Sequence, residues 1–194
     1  MGFRQLIGLA AAVLGIAGAA LAQPAQPKPD EMVNAPPFQH WSSFKVGTKV
    51  TQKQAVTLPD GQKVEQTIVQ KLTQKTPQKV VVETVVTDNA KGIAETTRTT
   101  TTYSPKVRMS EVGTASSPEA TVTEGKEEMT LKGKKVDAEW VEAVTKSGDD
   151  VWKEKMWTAQ GVPGGIVKQT VVHERGGKVV SESVLEVVDF TSGS

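Results

Sequence analysis

Between residues 48 and 190 the chain reads as β-branched runs cut by turn residues at short intervals. Val and Thr supply more than a quarter of the residues after position 22. Both are stiff at χ1 and suit a pleated sheet. The runs are 48–58, closed by Pro59-Asp60-Gly61, then 62–73, 78–87 and 93–103. A second series is 134–146, 151–158, 166–174 and 178–190, separated by Ser147-Gly148-Asp149, the turn 161–165 and Gly176-Gly177. In each Pro presets φ or Gly accepts a positive φ. Leu is scarce after residue 22, and no stretch there repeats apolar residues at helical spacing. Hairpin connections imply antiparallel pairing, because parallel strands need long crossovers. About nine or ten strands are expected, several of them long by the usual standard. Long twisted strands curl. The expected fold is all-β: a single curved antiparallel sheet, a half-barrel or open barrel, largely a meander. Residues 104–125 carry Pro105, Gly113 and Ser116-Ser117-Pro118, and the acidic stretch 119–128 follows. A loop or poorly ordered hairpin is expected there, with order resuming at Met129.

The N-terminus points to export. Arg4 is the only charge ahead of the apolar run 6–20, which closes on Ala20-Leu21-Ala22. This is the pattern of a signal peptide over 1–22, cleaved after Ala22. The competing reading is an uncleaved membrane anchor, and the run is only just long enough for one. The mature chain would begin at Gln23 and work in the periplasm or outside the cell, with no stable membrane insertion after cleavage. It would carry 22 basic and 22 acidic residues, so no basic field collects nucleic acid. Without Cys there is no lipoprotein anchor and no disulfide. A bacterial envelope protein is the simplest expectation. Residues 23–43 are Pro-rich and read as a lead-in, or as a strap held to the sheet by Phe38 and Trp41. The β domain is expected over 44–190.

Nucleophilic chemistry has little to work with. Only His40 and His173 could serve as a neutral-pH base, and no Gly-x-Ser-x-Gly elbow occurs. His173 and Glu174 are adjacent and face opposite sides of a strand, so they do not make a metal site together. No catalytic residue, cofactor site or metal site is assigned, and the chain reads as a non-enzyme. The aromatic residues are the better lead. Trp152 and Trp157 fall on opposite faces of their strand, and Met156 shares the face of Trp152. Val136, Ala138, Trp140 and Val144 share a face of the preceding run, where Trp140 is expected to be buried. Trp140, Trp152, Met156 and Trp157 are the candidate lining of a core or ligand face.

Val162-Pro163-Gly164-Gly165 has the chemistry of a type II turn, with Pro163 setting φ and Gly164 at positive φ. Pro163, Gly164 and Gly165 are therefore read as a structural turn. The stretch 155–168 with this turn, then Gly176-Gly177 and the closing run 183–190, resembles the C-terminal part of small bacterial exported proteins. Phe44-Lys45-Val46-Gly47-Thr48-Lys49-Val50 is similar to their first strand. Their topology in turn resembles the LolA/LppX-like half-barrel of lipoprotein carriers. The resemblance implies a carrier fold and assigns no residue a role. Two functions are carried forward. One is a non-catalytic extracytoplasmic binding or carrier domain for an apolar or lipid-like ligand. The other is a structural or protein-interaction module that meets an envelope protein. A continuous apolar inner face favours the first; Thr, Gln and Lys there favour the second.

Overall fold

A computed structural model of the chain describes residues 30–88, 95–108 and 120–193. The expected signal peptide and cleavage site lie outside the described residues, as do 109–119 of the expected loop. The elements are β1 (Met32–Asn34), α1 (Pro36–Ser42), β2 (Lys49–Thr57), β3 (Lys63–Thr76), β4 (Lys79–Asp88), β5 (Glu95–Tyr103), β6 (Lys106–Arg108), β7 (Thr121–Leu131), β8 (Lys134–Ser147), β9 (Asp150–Thr158), β10 (Ile166–Arg175) and β11 (Lys178–Thr191). Nine strands form one antiparallel sheet in the order β5-β4-β3-β2-β11-β10-β9-β8-β7, and β1 pairs with β6. The large sheet is open, with β5 and β7 at its ends, and it has the all-β half-barrel form that the strand pattern predicts.

Two meanders make this sheet, β2 to β5 and β7 to β11. Their junction is the pairing of β2 with β11, from Thr57 opposite Glu182 to Lys49 opposite Thr191. Burial then follows the two-residue period of a strand. Thr48, Val50, Gln52 and Gln54 are buried, while Lys49, Thr51, Lys53 and Ala55 are less so. Register carries this inner face across the sheet: Leu72 lies opposite Val82, and Gln52 opposite Val187. A bulge between Val187 and Asp189 keeps Val187 and Phe190 on one side of β11, opposite Gln52 and Val50.

At one end of the inner face sits a core of Trp41, Val50, Leu72, Val80, Val82, Val162, Val167 and Val187, with Phe38, Phe44 and Phe190 packed on it. The helix α1 delivers Trp41, which is 2% exposed. This helix corrects the expectation that no helix follows residue 22. Seven residues are two turns, too few to repeat an apolar stripe. Pro36 and Pro37 occupy its first positions, where the N–H groups have no intrahelical partner. Ala35 gives the helix no side-chain cap, and its own N–H donates to the Pro105 carbonyl at 3.0 Å. That bond ties the Pro-rich segment to the chain after β5.

The segment after residue 120 is a second correction. Residues 121–131 form the end strand β7 rather than a loop, with Thr121 opposite Val144 and Leu131 opposite Lys134. Only Gly125, under Trp140, and Met129 and Leu131, against the core, are covered on this end strand, so its apolar alternation is short. Glu124, Lys126, Glu127 and Glu128 are therefore compatible with pairing although they hide the strand from a periodicity reading.

Candidate functional site

The turn after β9 is built to receive α1. Gly164 and Gly165 have φ of +79° and +81°, and the Gly165 N–H donates to the Val162 carbonyl at 2.9 Å. Val162 and Pro163 are almost fully buried. A Cβ on Gly164 would stand 3.3 Å from the Trp41 ring, and one on Gly165 would stand 2.6 Å from the His40 ring. The two glycines thus supply the backbone geometry and also the space for the helix. The expected structural turn at Pro163, Gly164 and Gly165 is present, and its partner is the strap.

The aromatic candidates separate onto the two faces. Trp140 and Trp157 are directly opposite each other on β8 and β9. They lie on the opposite side of β9 from Met156; Trp157 is buried in the same core cluster as Trp41 and Val187, and Trp140 packs against it. The Lys155 ammonium lies 4.0 Å from the Trp140 ring centre and 4.8 Å from that of Trp157. The Trp157 indole N–H donates to a Glu127 carboxylate oxygen at 2.9 Å. Trp140 is half-buried rather than buried. It packs against the core and lies over Gly125, where a Cβ would come within 2.6 Å of the indole. Ala138 and Ala143 are the buried positions of β8. Met156 and Trp152 share the inner face. Trp152 stacks on His173 with ring centres 3.8 Å apart and an interplanar angle of 4°.

Beyond the plugged end, the inner face is a mixed strip. One cross-strand row runs Gln66, Gln54, Leu185, Gln169, Met156, Val141. The next runs Val64, Val56, Ser183, Val171, Glu154, Ala143. Gln52, Gln54, Gln66, Leu185, Val187 and Met156 are all buried. The Gln54 amide donates to the Ser183 hydroxyl at 3.0 Å, and the Gln169 amide donates to Glu154 at 2.6 Å. These glutamines were not among the residues singled out from sequence. Their signal was present in the alternation Thr48, Val50, Gln52, Gln54, Val56, which places the amides on the apolar side of the strand.

Burial pushes the Glu154 carboxyl above its ordinary value, while the Gln169 hydrogen bond acts the other way. Burial also lowers His40. At the far end of the strip, Asp150 accepts from the Arg175 guanidinium at 2.8 Å and meets His173 Nε2 at 2.5 Å. The Arg175 hydrogen bond, then that of His173, hold Asp150 below the usual carboxylate range. His173 is therefore held by a carboxylate and an indole, and His40 is packed under a glycine. On the outer face, β2, β3 and β11 enclose a cavity of about 260 Å³ lined in part by Lys53, Ala55, Glu65, Thr67, Val184 and Glu186. That is below the ~300–1,000 Å³ usual for small-molecule sites.

No protein-family model matches this chain, and no curated protein matches it. Among solved structures it is similar to a protein of YmcC-like fold from Bacteroides fragilis, with 12% identity, 77% of this chain and 97% of that one covered, and a TM-score of 0.42. It is also similar to the S-type phycobiliprotein lyase CpeS from Guillardia theta, with 12% identity, 80% and 93% covered, and a TM-score of 0.33. A third similarity is to a LolA superfamily protein from Nitrosomonas europaea, with 10% identity, 84% and 94% covered, and a TM-score of 0.23. At these scores the similarities carry no functional argument. Among the described residues no helix is long and apolar enough to cross a membrane.

Proposed function

We propose that this chain is a non-catalytic extracytoplasmic binding or carrier domain. Its ligand is apolar or lipid-like and lies along the inner face beyond α1. One observation carries the reading. Leu185, Val187 and Met156 join Gln54, Gln66 and Gln169 in one continuous strip of the inner face that runs on from the end where α1 packs against β4. A recessed strip that mixes apolar side chains with a few polar groups suits a ligand of the same mixed character. The amides give the strip donors and acceptors for the ester or amide linkages of an amphipathic chain. The engaged states of His40 and His173 support a binding role over catalysis. The apolar 1–22 segment supports export.

Titration of the mature protein with a fluorescent fatty-acid probe tests the reading. Saturable binding near one probe per chain is expected. Val171→Gln, in the middle of the strip, should weaken it several-fold with an unchanged unfolding midpoint. A folded wild-type protein that shows no saturable binding overturns the carrier function. The amides themselves favour the second reading, a protein-interaction module, which the same null titration would leave standing.

A further inference from the structure

The two ends of the large sheet are chemically unlike, and the difference points to a partner. An end strand exposes unpaired backbone N–H and C=O groups and is a template for another strand unless charge, Pro or a bulge blocks it. On β7 the block is present. Pairing β7 with the β7 of a second copy over its full length puts Glu124 opposite Glu128 of the other copy, and Lys126 opposite Lys126. Like charges directly opposite are destabilising. β5 carries no such block. Its nine residues hold six threonines, no Pro and one charge away from its first residue, Arg98. Arg98 is already paired with Glu83 at 2.9 Å. Positions 95–102 are exposed.

We infer that β5 is a self-complementary edge that takes the β5 of a second copy of this chain as an antiparallel partner. The register that pairs all nine residues is centred on Thr99. It sets Thr96 opposite Thr102, Thr97 opposite Thr101, Thr99 opposite Thr99, Arg98 opposite Thr100 and Glu95 opposite Tyr103. No like charges meet. Thr–Thr pairs form on both faces of the extended sheet, and cross-strand Thr pairs hydrogen-bond favourably. The two-fold axis makes the contact isologous and closed, so it yields a dimer and no filament. A single added strand buries less than the ~1,200 Å² of a standard interface, so the dimer is weak and concentration-dependent.

The chain has no cysteine, which makes a single-cysteine test clean. Across the axis, Thr99→Cys brings two thiols within the Cα separation a disulfide spans. Mild oxidation of this variant of the mature chain should give a covalent dimer much faster than Lys126→Cys on β7. Light scattering of the wild type should show mass rising towards two chains with concentration. Thr99→Lys and Thr99→Glu should each remain monomeric with unchanged unfolding midpoints, and their equimolar mixture should dimerise again. A wild type that stays monomeric at high concentration overturns the inference, as it would if another segment of the same chain or a different partner occupied the edge. Equal cross-linking of the two cysteine variants, or a dimer that survives Thr99→Lys, overturns it as well.

Discussion

Adding one methyl group at Gly165 tests whether the Pro-rich strap is part of the fold. The residue has φ of +81°. It cannot relax by rotating, because its N–H donates to the Val162 carbonyl and its carbonyl accepts from the Ala159 N–H, both at 2.9 Å. Gly165→Ala therefore takes on left-handed strain of about 1–2 kcal/mol. Its Cβ also stands 2.6 Å from the His40 ring, so the helix must shift, and overpacking of this kind costs about 1–3 kcal/mol. The sum is roughly 2–5 kcal/mol. In a His40→Ala background only the strain remains. The two substitutions should thus couple by about 1–3 kcal/mol in a double-mutant cycle. Urea unfolding followed by tryptophan fluorescence supplies the four free energies. If Gly165→Ala costs the same with and without His40, to within about 0.5 kcal/mol, α1 does not rest on this turn.

Trp41→Ala should cost about 3–5 kcal/mol, as truncation of a fully buried Trp does, and Trp140→Ala distinctly less, since Trp140 is half-buried at the edge of the core; equal shifts in denaturation midpoint would refute this. His40 is lowered from 6.5 by burial, so its contribution is complete above that pH and is lost as pH falls through its folded value; His40→Gln should flatten the stability profile in that window. Glu154 is raised from 4.5 by burial, so its contribution is present below 4.5 and is lost as pH rises through its folded value; Glu154→Gln should therefore be more stable than wild type at pH 7 and not at pH 4, by chemical denaturation. Exported protein should begin at Gln23 on N-terminal sequencing, and an intact Met1 on membrane-bound material would contradict the cleavage reading.

Strand identity and turn chemistry were readable because they are local. Pro163-Gly164 specifies its own φ values, and the Val/Thr runs specify pleated sheet without reference to distant residues. What was not readable is relational. α1 exists because Trp41 finds the core and Gly165 leaves room for His40, and neither fact is written within two turns of helix. β7 escaped because its covered face is carried only by Gly125, Met129 and Leu131, so Glu124, Glu127 and Glu128 look like loop residues. The pairing of β2 with β11 joins the two ends of the domain and has no signature in either strand. Trp140 shares its face with Val136 and Ala138 and packs against the core, but it is only half-buried, which the alternation of one strand does not reveal. The glutamines of the inner strip were passed over because an amide reads as solvent-facing until its neighbours at i−2 and i+2 are seen to be buried.

The inner face therefore has two unlike halves, and both proposed readings turn on the half that carries the amides. Where the lining is Val, Leu and Phe, the chain covers it with its own Trp41 and Val162. Where amides interrupt the lining, Gln52, Gln54 and Gln66 are buried beside Leu185 and Met156 instead. A purely structural sheet gains nothing from placing Gln52, Gln54 and Gln66 on its buried side, because a buried amide contributes little unless hydrogen-bonded and costs if left unpaired. Apolar residues there would have let the same helix-and-turn plug extend along the whole face. On the proposed carrier function, the amides would meet the hydrogen-bonding groups of the ligand and the apolar side chains its hydrocarbon. On that same reading the α1 end is the floor of the site, and the Trp152–His173 stack marks the opposite limit of the strip.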